Sequence, residues 1–593
     1  MTRVPLRPLT QILEARTKGE DPDEIERANL HNRHEIMRDL AQKSAANRLL
    51  FLALFFTGAF LMVALRMGEV ALSMPVEPEG EVTTNPIVAN RADILDRNGR
   101  ILATNLSTHA LYAQPHLMTD PVGSAKALAA LFPELNEERL IKDFTGNRKF
   151  VWLRRKLSPE QVQAVFDIGD PGLLFGPREM RLYPNGRLAA HVLGGASFGR
   201  EGVDSAEIVG VAGIEKAYDA YLRDPALEGQ PLTLSIDLSA QAAVAEVLEG
   251  GMRMMNAKAA TAILMDIHTG EVIAMVSLPD FDPNDRPDAP TSGSPADSPL
   301  FNRAVQGVYE LGSTFKIFTV AQALDLGLVN AQTMINTKGP LVWGKFRIKD
   351  FHNYGPELSV RDVIVKSSNI GTAHIVELIG AERQQSFLST LGLTRPLSVE
   401  LAEAPYVKPL VPKNWSEISM LTISYGHGLS ASPLHLAQAY ASVLNGGTLV
   451  EATLLKVDQP QAGPRVVSED VSAVARSMLR DVVVRGTASF GDVAGYEVGG
   501  KTGTAEKLKA TGGYEDDKNI TTFASFFPAS APKYVMVVTL DEPEETSGPE
   551  PRRTAGWTSV PVGAEIIRRV APLLGLRPVL EPQGEIALTR VSN

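Results

Sequence analysis

The hydrophobic pattern of the chain opens on one uninterrupted apolar run. Leu49 to Leu65, LLFLALFFTGAFLMVAL, carries no charge and is bracketed by Arg48 and Arg66. As a helix, a run of this length just spans the hydrocarbon layer of a bilayer, helped by arginines that extend to the headgroups. The residues before it are polar and mixed in sign, with Arg33, Arg38, Lys43 and Arg48 crowding towards it, and Glu69, Glu77, Glu79 and Glu81 follow. Basic before and acidic after predicts an N-terminus in the cytoplasm and the bulk of the chain outside. A cleaved signal peptide is the competing reading, since Ala71-Leu72-Ser73 offers small residues at a cleavage spacing. The leader would be unusually long, however, and Arg66 interrupts the approach. The expected division is a tail over 1–47, an anchor over 48–67 and, from 68, an extended linker rich in Pro and Glu.

Beyond the linker the pattern changes twice. From Arg91 to about residue 230 it is mixed, with short strands, Gly-rich turns and few long helices. From Pro231 it becomes regular. Leu232 to Ile236 alternates like a strand, and Asp237 or Ser239 can cap a helix running to about Leu248. Ala260–Ile267 and Glu271–Ser277, joined by Thr269-Gly270, read as a hairpin, and Tyr534–Leu540 (YVMVVTL) as another strand. With helices between them, these strands predict an α+β domain with a mainly antiparallel sheet over 231–578, followed by a tail over 579–593.

Composition narrows the chemistry only a little. A chain of 593 residues needs several domains. Its formal net charge of -11 argues against nucleic acid as the main partner. The absence of cysteine excludes disulfides, zinc–cysteine sites and thiol catalysis.

Three short motifs carry the candidate chemistry. Ser313-Thr314-Phe315-Lys316 opens an apolar run, Ile317 to Leu326, that reads as a helix. Residues three apart share a helix face, so the lysine amine can reach the serine hydroxyl at the positive end of the helix dipole. To serve as a base Lys316 must be neutral, which burial and a neighbouring cation would favour. Ser367-Ser368-Asn369 lies between two helix-like stretches, where a turn could aim Ser367 and Asn369 into a cleft, Ser367 as a proton relay and Asn369 as a partner for a substrate amide. Lys501-Thr502-Gly503-Thr504 follows Val498-Gly499-Gly500 and suits a strand edge against which an extended peptide pairs. There Lys501, Thr502 and Thr504 could bind a carboxylate, and Gly503 could let the substrate backbone approach. Two decoys share parts of these patterns. Ser530-Ala531-Pro532-Lys533 repeats the first spacing, but a proline precedes the lysine and a strand follows. Gly195-Ala196-Ser197-Phe198-Gly199 matches a nucleophile elbow, but no helix is predicted after it.

In this order and within one domain, the three motifs resemble the SxxK, SxN and KTG motifs of penicillin-binding proteins and serine β-lactamases. The likeness extends upstream. Arg91–Gly99 (RADILDRNG), Arg181–Gly186 (RLYPNG) and Gly210–Glu215 (GVAGIE) resemble the non-catalytic motifs of class B penicillin-binding proteins, with Ala92 where glycine is usual. That resemblance implies an elongated, β-rich pedestal domain of the dimerisation type within 68–230, in which Arg, Asp and Glu tie chain segments together. Tyr309–Lys316 (with Leu311 in place of the usual proline), Lys501–Lys507 and Leu540–Pro543 look like the division-specific branch, the FtsI type. Ser424–Gly428 resembles its cleft-side loop, in which His427 is structural, whereas Ala555–Pro561 departs from the family pattern and leaves the role of Trp557 open.

What the resemblance implies is a serine D,D-transpeptidase. Ser313 attacks the D-Ala-D-Ala bond of a peptidoglycan stem peptide, Lys316 takes the proton, and Ser367 passes one to the leaving group. Backbone amides of Ser313 and Thr504 stabilise the oxyanion, while Lys501, Thr502 and Thr504 hold the terminal carboxylate. β-Lactams acylate the same serine. No metal or nucleotide cofactor is implied, because the bond energy arrives with the substrate. The implied partners are a SEDS-family glycosyltransferase, other divisome proteins and the bacterial inner membrane. The sister reading is the elongation-specific enzyme. Readings of another class are a β-lactam sensor, for which 1–47 is short as an output domain, and a non-catalytic scaffold, which would be expected to have lost Ser313, Lys316 or Lys501.

Overall fold

The computed structural model describes residues 8–72, 91–201, 206–344, 346–457, 459–460, 463–509 and 513–579. Most of the expected linker (73–90) and nearly all of the expected C-terminal tail (580–593) lie outside the described residues. The chain divides into two compact units, 1–87 and 88–593. In the first, a short helix, Leu9–Lys18, stops on Gly19 in the left-handed conformation, and a second helix runs over 51 residues, Pro22–Leu72. Its stretch Arg48–Met67 is long and apolar enough to cross a membrane, by length and composition, and none of it is buried within the structure.

The second unit is built on two cores. The larger surrounds a five-stranded antiparallel sheet made of β1 (Ala259–Asp266), β2 (Val272–Leu278), β3 (Gly499–Leu508), β4 (Tyr514–Phe527) and β5 (Tyr534–Asp541). Its order is β3-β4-β5-β1-β2, so β3 lies at an edge. β1 and β2 form the expected hairpin about Thr269-Gly270, and both are buried nearly throughout because helices cover both faces. On one face lie α1 (Leu238–Met254), capped by Asp237, and α7 (Ser559–Leu573). On the other lie α2 (Lys316–Asp325), α3 (Val360–Lys366), α4 (Asn369–Ile379), α5 (Pro433–Leu444) and α6 (Glu469–Arg485). α5 is apolar almost all round, and every one of its residues is buried, as such a helix must be.

The smaller core lies upstream. A 13-residue strand, Ile101–Ala113, links the two cores. Leu102 and Ala103 at its start belong to the large core, and Leu111 and Ala113 at its end to the small one. It pairs with Val151–Leu157 and Leu173–Leu182. Three helices, Pro121–Leu131, Glu137–Thr145 and Pro159–Phe166, alternate with these strands. Each starts on a side-chain cap, from Asp120, Asn136 and Ser158 respectively, and together their apolar faces close the small core. At the other end Ile94–Leu95 pairs in parallel with Leu232–Thr233, so the upstream segment and the larger domain share a sheet at their seam.

The three upstream motifs converge on one buried ionic cluster. Arg91 Nε donates to Glu215 Oε2 and Arg181 Nε to Glu215 Oε1, each at 2.7 Å. Arg91 also reaches Asp219 Oδ1 at 2.7 Å, and Tyr183 donates its hydroxyl to Glu215 Oε1 at 3.2 Å. Glu215 is fully buried, so its carboxylate is stable there only because two guanidinium groups and a phenol satisfy it. Glu215→Gln is therefore expected to lower stability by about 1–3 kcal/mol, read as a lower unfolding midpoint in denaturant. An unchanged midpoint would show that the cluster contributes nothing net.

Candidate active site

The first motif sits at a change of helix type. Gly312–Phe315 is a turn of 3-10 helix that runs directly into α2, so Ser313 stands one turn ahead of Lys316 as its spacing predicts. The turn is wedged between two backbones. Gly426, at φ 89°, packs so closely that a Cβ there would lie 1.8 Å from the Gly312 carbonyl oxygen. On the other side Gly503 faces Leu311, where a Cβ would lie 2.2 Å from its carbonyl oxygen and 2.9 Å from the Thr314 methyl. On this side Gly503 faces the Gly312–Phe315 turn. Its missing side chain lets edge strand β3 lie against that turn.

The second motif supplies a turn in the left-handed region. Ser367, at φ 63° and ψ 42°, caps the end of α3, and Ser368 caps the start of α4 by accepting from Gly371 N–H at 2.9 Å. This reversal turns Ser367 and Asn369 inwards. A serine in that conformation stores strain of order 1–3 kcal/mol, a feature that clusters at functional sites.

The first two motifs meet at the amine of Lys316, which is fully buried. Its Nζ lies 2.9 Å from Ser313 Oγ, 2.6 Å from the Ser367 carbonyl oxygen, 3.0 Å from Ser367 Oγ and 2.7 Å from Asn369 Oδ1. Two of these four oxygens are carbonyls and can only accept. A neutral amine has two N–H bonds for them, and its lone pair is left for the hydroxyls, which can donate. Burial, then the nearby charge of Lys501, holds the Lys316 pKa well below the usual lysine value, and Asp350 acts in the opposite sense. Lys501 is equally buried and reaches Ser367 Oγ at 3.0 Å, with desolvation bringing its pKa to about 7. Ser367 Oγ therefore stands between two lysine amines, 3.0 Å from each.

The rest of the third motif is tied into the edge of the sheet. The Thr502 hydroxyl pairs with that of Thr487 at 2.7 Å, and Thr504 Oγ1 accepts from Ala555 N–H at 3.0 Å. Beyond Ala555, Trp557 stacks under the Arg552 guanidinium at 3.9 Å and beside the Phe490 ring at 5.0 Å. Lys507 bridges Asp541 and Glu542, each at 2.7 Å, which joins the two segments Lys501–Lys507 and Leu540–Pro543.

Several residues here were not singled out from the sequence. Glu310 accepts from Gly428 N–H at 2.7 Å and from Tyr514 Oη at 3.1 Å, fastening the loop Ser424–Gly428 beside the Gly312–Phe315 turn. His427 in that loop packs half-buried against the Tyr425 and Tyr514 rings and is held neutral, its pKa lowered to about 4 chiefly by desolvation. That supports a structural place for it. Asp350 receives hydrogen bonds from the second motif. It sits in a polar stretch with no periodicity to mark it, and Thr487 likewise shows no spacing signal. Neither decoy joins the site. Ser197 lies within a strand, Gly195–Glu201, paired with Ala206–Ala212, and Ser530 in the turn between β4 and β5.

Known proteins share this organisation. Residues 260–567 match the family described as the penicillin binding protein transpeptidase domain, and residues 86–225 that of the penicillin-binding protein dimerisation domain. The chain is 36% identical over 535 residues to a probable peptidoglycan D,D-transpeptidase FtsI of Caulobacter vibrioides, covering 88% of each protein. It is 29% identical over 561 residues to the peptidoglycan D,D-transpeptidase FtsI of Escherichia coli strain K12, covering 87% of this chain and 91% of that one. To the stage V sporulation protein D of Bacillus subtilis it is 30% identical over 577 residues, covering 90% and 86%.

Proposed function

Because the chain belongs to the class B penicillin-binding proteins, with a transpeptidase and a dimerisation domain, we propose that it is a peptidoglycan D,D-transpeptidase of the FtsI type, acting in cell division. The observation that carries the reaction is the 2.9 Å contact between Ser313 Oγ and the buried Lys316 amine. Ser313 Oγ attacks the carbonyl carbon of the penultimate D-Ala as its proton passes to Lys316 Nζ. The oxyanion that forms is held by the N–H groups of Ser313 and Thr504, a contribution of a few kcal/mol per donor. Thr504 N lies close to the nucleophile turn, 3.2 Å from the position of a Cβ on Gly312, which supports that pairing. The C–N bond then breaks. The proton reaches the leaving amine by way of Ser367 Oγ, which the two lysines flank. An amine of a neighbouring stem attacks the Ser313 ester, the ester bond breaks as the amine's proton passes by way of Lys316 Nζ to Ser313 Oγ, and a new amide joins the two strands. Lys501, charged below about 7, faces the donor carboxylate together with Thr502 and Thr504. A penicillin acylates Ser313 by the same first step.

The stretch Arg48–Met67 serves as an uncleaved anchor in the bacterial inner membrane, with the N-terminal tail in the cytoplasm and the catalytic domain outside. A SEDS-family glycosyltransferase contacts the anchor and upstream segment over 49–230, alongside other divisome proteins. One experiment tests the chemistry and the anchor together. Membranes of the native host are labelled with a fluorescent penicillin, the labelled chain is isolated, and its N-terminus and adduct are mapped by mass spectrometry. The adduct is expected on Ser313 in a chain that keeps its N-terminal helix. An adduct on Ser197 or Ser530 sinks the nucleophile assignment, and a start near Met74 sinks the anchor. Depleting the chain is expected to give filaments without septa. Rounded cells that still place septa would assign it to elongation.

A further inference from the structure

The helix that carries Asn369 begins with three backbone N–H groups that have no partner within the helix. Gly371 N–H is taken by the Ser368 hydroxyl at 2.9 Å. The other two go to a residue far from the motif. Asp350 Oδ1 accepts from Asn369 N at 2.6 Å and from Ile370 N at 3.0 Å, while its Oδ2 accepts from Ser368 Oγ at 2.6 Å. The neighbouring Lys349 carbonyl accepts from Asn369 Nδ2 at 2.9 Å, which turns the amide so that Oδ1 faces the Lys316 amine. A carboxylate at a helix N-terminus also sits at the favourable end of the dipole. Resting on the transpeptidase reading above, we propose that Asp350 is a positioning residue of the acyl-transfer site, holding Asn369 against the Lys316 amine through the first turn of α4.

The electrostatics agree with the geometry. The charged and titratable groups that face Lys316 are Lys501 from β3, Asp350 from the segment before α3, and His427 from the loop beside the nucleophile turn. His427 is neutral at ordinary pH. Lys501 and burial push the amine towards its neutral form, and Asp350 is the one group that opposes them. A base works best with a pKa near the working pH, so this opposition keeps the amine from becoming too weak a base. Asp350 also lines an open cavity of about 630 Å³ with Lys338, Phe351 and His352. Truncating it widens a solvent-filled space and opens no void in the core.

The test measures acylation of the purified full chain by a fluorescent penicillin across a pH series, separating the noncovalent dissociation constant from the acylation rate constant. Asp350→Ala is expected to slow acylation roughly 10- to 100-fold, as for a base displaced by a fraction of an ångström, with the dissociation constant within about twofold of wild type. Asp350→Asn keeps an oxygen for the Asn369 and Ile370 N–H groups. It is expected to recover most of the rate, with the acid limb moved to lower pH, because Lys316 has lost the carboxylate that favours its charged form. An Asp350→Ala chain that acylates at the wild-type rate, or loses only noncovalent affinity, overturns the proposal. So does an Asp350→Asn chain whose acid limb has not moved, and this second variant decides alone if the alanine chain does not fold. Wild-type chain that takes no adduct at Ser313 would instead overturn the transpeptidase reading.

Discussion

Replacing Lys316 by alanine is expected to slow acylation of Ser313 by a factor of roughly 10²–10⁴ while leaving a folded chain. The amine is the only nitrogen base in hydrogen-bond contact with Ser313 Oγ among the described residues, at 2.9 Å. It is held there by two carbonyl oxygens at 2.6 and 2.7 Å, so its lone pair has little choice but to face the hydroxyls. Folding survives because the amine is costly to bury in the first place, and water from the cleft can replace its donors to Ser367 and Asn369. In the wild type the pH profile has two limbs. Acylation rises with pH as Lys316 loses its proton. It falls above about 7 as Lys501 loses the charge that holds the ligand carboxylate. Lys316→Ala removes the first limb together with most of the rate. Lys501→Ala is expected to weaken noncovalent binding and remove the second. Stopped-flow acylation with a fluorescent penicillin, paired with a circular dichroism melt, reads both. A folded Lys316→Ala chain that acylates at a near-normal rate would place the base elsewhere.

Much of this site is legible in the sequence, for identifiable reasons. Ser313 and Lys316 are three residues apart on one continuous run of helical turns, and a spacing of that kind survives any tertiary arrangement. The hairpin β1–β2 and strand β5 were legible because they are buried, largely apolar runs, the first two joined by a Thr-Gly turn. The Ser367 turn was legible only as a break between two helical patterns. That a serine would occupy the left-handed region there is a tertiary outcome, stabilised by the amines on either side of its hydroxyl. Asp350 was not legible. It acts through α4 from 19 residues upstream, at no repeating interval, in a stretch whose polarity marks only an exposed loop. The Arg91–Glu215 pair, 124 residues apart, came from resemblance and not from any pattern in the chain. The upstream helices were under-read because each is short and marked mainly by its cap.

Gly503→Ala is expected to cost roughly 100-fold or more in acylation, although Gly503 makes no hydrogen bond to Ser313 Oγ or to the Lys316 amine. The added Cβ would lie 2.2 Å from the Leu311 carbonyl oxygen, about 1 Å inside an ordinary contact. Neither side yields cheaply. Leu311 is pinned because Gly312 lies against Gly426 and its neighbour Glu310 is bonded to Gly428. Strand β3 is pinned by its ladder to β4, in which Gly503 pairs with Thr522. The strand and the nucleophile turn must therefore part by about 1 Å, and a displacement of that size costs on the order of 100-fold when it separates reacting groups. The two oxyanion donors proposed here, Ser313 N–H and Thr504 N–H, sit on opposite sides of that same contact, so they separate together. Stability should fall by about 1–3 kcal/mol as well, the usual cost of overpacking. The decisive comparison is with Gly500→Ala on the same strand, where a Cβ meets the Ala524 carbonyl oxygen at 2.8 Å, away from the nucleophile turn. Gly500→Ala should lower the melting temperature while the folded chain still acylates within about tenfold of wild type. If the two alanine chains acylate alike, Gly503 is ordinary strand packing. If Gly503→Ala alone loses acylation at matched stability, its missing side chain is what seats the nucleophile against the strand that receives the peptide.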